Sequence, residues 1–260
     1  MANPAFNENT YDKFGMGGYG AGGYAQGQMV RPDESQAMTV EGTVNKTAIL
    51  FALLLASSAF TFSTALAMPG LIFPLAIGGA IGALIVGLIT AFRPQSSGIT
   101  APIYAVLEGL FLGAFSLIFN QMYPGIALQA IASTLGVFGI MLGLYRSGLV
   151  KVTEKLKMGV IAATGAIALM YLVSNLFTLF GNPVIGKFLW SSSPLSIGLS
   201  LLVIGVAAFN LLLDFDLIEE GVERKAPKFM EWYAGYGLMV TLVWLYLELL
   251  RLLAKLRGRD

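Results

Sequence analysis

The sequence predicts an all-α integral membrane protein, a seven-transmembrane-helix bundle, on three observations. Of 260 residues, 56% are hydrophobic and 12% charged, which is not the balance of a soluble globular chain. The apolar residues come in seven long blocks, each near or above the roughly 20 residues that carry a helix across about 30 Å of hydrocarbon. A barrel strand would run to about 10 residues with alternating faces, whereas these blocks are longer and apolar throughout.

Taken in order, the chain opens on a segment from Met1 to Ala37 rich in Gly, Tyr, Asn and Gln, including GMGGYGAGGYAQGQ. Such a composition cannot bury enough apolar area to offset its ordering entropy, so residues 1–37 are expected to form a disordered cytoplasmic tail and residues 38–260 the membrane domain. The first apolar run, Thr47 to Ala67, starts too late to read as a cleaved signal peptide. Gly70 to Phe92, Ala101 to Gln121, Gly125 to Arg146 and Met158 to Phe180 follow. The sixth run, Pro194 to Asp216, has Ser193 placed to cap the free amides and Pro194 in the first turn, where a missing amide costs nothing. Tyr233 to Ala254 is the seventh. Gly78 with Gly82, Gly109 with Gly113, and Gly139 with Gly143 have the spacing that lets helix backbones approach, and are expected to be packing seams.

Basic residues set the orientation. Eleven of the 16 Lys and Arg fall on the amino-terminal side of the runs, among them Arg93, Arg146, Lys157 and Arg224, which favours a cytoplasmic amino terminus. Seven crossings then leave the carboxyl terminus outside, although its basic sequence LRLLAKLRGRD argues for six crossings and one re-entrant segment.

Four carboxylates lie within or at the ends of the apolar runs: Glu108, Asp214, Asp216 and Glu248. Charge in hydrocarbon costs at least a few kcal/mol per residue, so such acids face a bundle interior or a watery path. At about 1.5 Å of rise per residue, Glu108 lies on the order of 10 Å inside the third run. Asp216 and Asp214 are near the cytoplasmic end of the sixth, with Asn210 a turn deeper; Thr241 reaches a similar depth from the start of the seventh, and Glu248 lies nearer the other face. A single polar cluster in the cytoplasmic half follows if the third, sixth and seventh runs are neighbours. Burial and mutual repulsion both disfavour ionisation, so protons would compete there with cations, and oxygen ligands suit Ca²⁺, with Asp216 and Glu108 as the metal-contacting pair.

Simpler roles compete with this. Asp216 can end a helix that continues into Glu219, Glu220 and Glu223, and Glu248 can pair with Arg251 one turn on. Glu108 has no basic residue within a turn.

The absence of Cys and His excludes disulfides, thiolate or imidazole metal sites and Ser-His or Cys-His catalysis. No phosphate-cradling loop, GxGD segment or retinal-bearing lysine is present, so neither enzyme activity nor a cofactor is expected. The scattered basic residues read as topology signals rather than a nucleic-acid footprint.

Ser193-Pro194-Leu195, the VIG of Val203 to Gly205, Phe215-Asp216-Leu217 and LYLELLRLL of Leu245 to Leu253 resemble the transmembrane Bax inhibitor motif family. AVLEGLFLGAFS (Ala105 to Ser116) and LGLYRSG (Leu142 to Gly148) look like its bacterial, YccA-like branch, and the resemblance runs from about Met38 onward. It implies a seven-helix protein of a bacterial inner membrane associated with pH-sensitive Ca²⁺ leak. It also implies that Asp216 is one member of an acidic pair joining the last two helices, with Arg93 as basic counter-charge. The second acidic position coincides with Thr241: either Glu108 or Asp214 supplies the missing carboxylate, with Glu108 favoured because its depth matches that of Thr241, or the chain conducts poorly and serves another purpose. The alternative is a non-conducting regulator that restrains another membrane protein, such as a membrane-bound protease, through its tail or the Glu219 to Glu231 loop.

Overall fold

The computed structural model describes residues 37–258. All but the last residue of the expected tail therefore lies outside the described segment. Eight α-helices follow in order: α1 Val40–Ala67, α2 Ile72–Phe92, α3 Ser97–Met122, α4 Ile126–Arg146, α5 Glu154–Leu179, α6 Val184–Leu189, α7 Pro194–Glu223 and α8 Met230–Arg257. Seven are long and apolar enough to cross a membrane, each matching one expected run. The short α6, which hydropathy does not reveal, lies in the α5–α7 connection.

Most ends are longer than expected because polar first turns continue the helix beyond the apolar stretch. Thr39 caps α1, its hydroxyl accepting from Gly42 N at 3.0 Å, and so α1 begins seven residues before Thr47. Ser193 caps α7 as expected, accepting from Ser196 N at 3.3 Å, with Pro194 in the first turn. Gly125 turns the chain from α3 into α4 at φ 80°, a backbone region a side chain would strain.

The centre of the bundle is α8, of whose most apolar window 67% is buried, against 22% for α2, α4 and α5. It has two apolar faces. Tyr236, Met239, Val243, Tyr246 and Leu250 join a core with α1 and α3, while Leu238, Leu242, Leu245 and Leu249 join another with α4 and α7. The outer helices turn large apolar side chains outward, with Phe73 68%, Leu84 62%, Leu128 72% and Leu169 60% exposed. Such a surface belongs against lipid acyl chains rather than water.

Lipid gives apolar helices little reason to associate, so close backbone approach matters. A Cβ on Gly109 would lie 2.5 Å from Leu54 O, and one on Gly113 2.3 Å from Ser58 O, so this pair is the seam between α3 and α1. In the second run the contact falls on Gly79 and Gly82, against Phe111 and Leu107 of α3, and Gly78 meets nothing. Gly139 and Gly143 are a correction to the expected seams: no atom lies within 4 Å of a Cβ built on either. The spacing puts both on one face of α4, and that face points away from the described protein.

At the end where α1 begins and α7 stops, the chain ties itself together. Met38 N donates to Ala226 O at 2.6 Å and Ala37 bridges Pro227. Beside them Glu231, 0% exposed, accepts from Thr39 N at 3.0 Å and from the Thr39 hydroxyl at 2.9 Å, and Lys228 Nζ lies 2.9 Å from the same oxygen. This clasp fixes the start of α1 on the α7–α8 connection.

Candidate functional site

Residues two apart on a helix point about 200° apart. Asp214 and Asp216 are therefore divided between two faces of α7: Asp214 is buried at 2%, and the Asp216 side chain keeps 25% of its surface open. Asp216 opens onto a cleft of about 890 Å³ enclosed by α1, α4, α7 and α8. Thr43, Thr47, Tyr145 and Glu219 contribute oxygens to its wall; Arg146 and Lys151 bring positive charge, and most of the remaining lining is apolar.

On the other side Asp216 is tied to α5. Lys157 Nζ lies 3.0 Å from its carboxylate and also reaches Glu154 at 3.5 Å and Glu220 at 4.0 Å. Glu220 in turn pairs with Arg224 at 2.5 Å, and the Tyr145 hydroxyl donates to Glu219, linking α4 to α7. The end of α7 is thus an acidic strip held by one cation from α5 and one phenol from α4.

Glu108 lies elsewhere. Because α3 starts at Ser97, Glu108 is about 16 Å inside, deeper than the apolar run alone indicated. It is 8% exposed and faces the Tyr104 hydroxyl one turn back on α3, with Tyr236 of α8 close by. The two tyrosine rings meet edge to face at 5.0 Å, and Tyr236 donates to Gly87 O at 3.0 Å, an approach that the missing side chain of Gly87 permits. Among the described residues Glu108 forms no ion pair.

The remaining candidates take separate places. Thr241 is buried at 3%, donates to Gly237 O, and lies about 140° around α8 from Tyr236, off the face that meets Glu108. Asn210 donates to Thr164 of α5 at 2.8 Å and to Val206 O at 2.9 Å. Glu248, 1% exposed, takes the simpler role: Arg251 bonds both its oxygens at 3.0 and 3.1 Å, and the Tyr171 hydroxyl donates at 2.8 Å.

The single cluster expected from depth arithmetic is therefore divided. Depth along an axis carries no information about facing, and α8 stands between α3 and α7, leaving Glu108 on one side of it and Asp216 on the other. Among the described residues no three Asp or Glu side chains gather as metal ligands, so the set of about six to eight oxygens that holds Ca²⁺ firmly is not built from carboxylates here.

Arg93, expected as counter-charge, is exposed at the corner after α2 and forms no ion pair among the described residues. Lys157 stands against Asp216 instead. The sequence carries a usable signal for it: Lys157 precedes the fifth run at the same membrane end as Asp216.

Seven long apolar helices, with α8 at their centre, define a multi-pass membrane protein that buries carboxylates inside its bundle. The chain belongs to the Bax inhibitor 1 like family, which it matches over residues 3–258. The match begins well before Met38, the point from which the quoted motifs carry the resemblance. No curated protein and no solved structure matches the chain significantly.

Proposed function

We propose that this protein is a pH-modulated leak pathway for cations, Ca²⁺ among them, in a bacterial inner membrane with the amino terminus in the cytoplasm. The supporting observation is that Asp216, on the wall of the cleft, is also the residue that Lys157 of α5 holds at 3.0 Å. Asp216 is the acid that an entering cation meets. Losing the Asp216 charge weakens the tie that Lys157 makes between α5 and α7, while Asn210 and Thr164 keep the two helices joined deeper in the bundle. Glu108 is a second titrating acid, deep in the bundle between α3 and α8, and acts separately. Nothing in this scheme calls for a catalytic group or a cofactor.

The test is Ca²⁺, K⁺ and Na⁺ flux through the purified protein in liposomes across pH, for the unmodified chain and for Asp216→Asn. The expected result is flux above empty vesicles whose pH dependence is reduced in Asp216→Asn. Indistinguishable traces, or none above background, end this reading.

The Glu231 clasp favours a second reading, in which the chain restrains another membrane protein and conducts nothing. The clasp seats the stem of the amino-terminal segment on the α7–α8 connection, where a partner would meet both. Removing residues 1–36 would then abolish co-purification of that partner.

A further inference from the structure

The end of the bundle away from the clasp concentrates positive charge around a chamber that the leak scheme leaves unused. We propose that this chamber, between the end of α3, the α6–α7 connection and the end of α8, binds an oxyanion of the phosphate class.

The chamber has a volume of about 270 Å³, and Arg251 and Lys255 line it. Lys255 is only 4% exposed, held by Ser196 O at 3.2 Å and by the hydroxyls of Ser196 and Ser200 at 2.9 and 2.6 Å. No carboxylate lies within ion-pair distance of it among the described residues. Glu248, the acid nearest by contact, spends both oxygens on Arg251 and one also on Tyr171. Two cations and one carboxylate leave the group with one excess positive charge.

Burying an uncompensated charge is costly in a low-dielectric interior. The carboxyl end of α8 carries the equivalent of about half a negative charge, but the positive amino end of α7, whose Ser196 touches Lys255, opposes it. Arg251 Nε is buried without an acceptor, while the Tyr171 and Trp190 rings lie 5.0 and 4.9 Å from the guanidinium carbon. Two hydroxyls, of Tyr123 and Ser192, complete a wall of donors, and Phe119 and Met122 supply an apolar one.

This combination fits a compact anion with several acceptor oxygens. The volume lies just under the roughly 300 Å³ where drug-sized pockets begin, which admits a headgroup and not a whole lipid. A lipid phosphate with its chains running out past Met122, 62% exposed, and a free phosphate share this chemistry.

The experiment uses the full-length protein in phosphatidylcholine nanodiscs, probed with phosphatidylglycerol and, separately, with inorganic phosphate. Native mass spectrometry reads retained lipid and thermal unfolding reads phosphate. The expected result is preferential retention of phosphatidylglycerol, stabilisation by phosphate, or both, lost by about tenfold in Lys255→Met, which removes the excess positive charge beside the chamber. Ser192→Asp sets a carboxylate at the rim while leaving Lys255 and its serines in place, and should cause the same loss even if Lys255→Met misfolds. Lipid preference without a phosphate effect assigns the site to a headgroup, and the reverse to a free oxyanion. No preference and no phosphate shift, or effects that persist in Ser192→Asp, overturn the proposal.

Discussion

Lys157 and Asp216 join α5 to α7 across 3.0 Å, with Asp216 also on the wall of the cleft between α1, α4, α7 and α8. Each is partly exposed, at 19% and 25%, so the pair is reachable from water and its contribution to stability is about 1 kcal/mol or less. Removing Lys157 should therefore leave the fold intact, and under the proposed leak function it should alter flux. In liposomes, Lys157→Met is expected to raise cation leak several-fold at neutral pH and to flatten its pH dependence. A leak equal to that of the unmodified chain would show that this pair does not hold the pathway shut.

Glu108→Gln keeps the shape of the side chain and removes its proton equilibrium. With Tyr104 and Tyr236 beside it and no cation, the amide should be accommodated, and folding should be little changed. The expected outcome is a cation flux whose pH profile differs from that of the unmodified chain and also from that of Asp216→Asn, because the two acids occupy different sides of α8. A profile superimposable on the unmodified one removes Glu108 from the switch.

Two glycine pairs with the same spacing should respond oppositely. Gly113→Val sets a side chain where Ser58 O would lie 2.3 Å from its Cβ, against backbone that cannot turn aside. It is expected to cost about 1–3 kcal/mol and to lower the unfolding temperature in detergent. Gly139→Val meets open space and should change stability by less than about 0.5 kcal/mol. Equal effects would mean that the α1–α3 seam is not where the backbones close.

A Cβ on Gly42 would fall 2.0 Å from Glu231 Oε1, so Gly42→Ala must push the carboxylate away from Thr39. Gly42→Ala and Glu231→Ala are each expected to destabilise by about 1–3 kcal/mol. Their double mutant should be no worse than either alone, because both remove the same contact. Additive losses, measured by thermal unfolding, would show that the clasp is not their common target.

The number and order of crossings were legible because apolar length is a local property, and so was the Ser193-Pro194 start of α7. The Glu248–Arg251 pair was legible for the same reason, since three residues on a helix fix a face. What the sequence hid is lateral. Depth placed Glu108, Thr241 and Asp216 in one half of the membrane, but only the packing of α8 between α3 and α7 shows that they do not meet. Glu231 read as one more acid of a polar connection, and nothing nearby in sequence shows that Thr39, 192 positions away, hydrogen-bonds it. The glycine pairs fail halfway: spacing reports which residues share a face, and what that face touches depends on the neighbouring helix.

The arrangement around α8 also bears on how the chain is made. This helix meets α1, α3, α4 and α7, yet it is the last of the described crossings to leave the ribosome. Until it is synthesised, Tyr104, Leu211 and their neighbours have only lipid or one another to pack against. Translation arrested before Met230 would leave α1, α3, α4 and α7 without the helix on which all four pack.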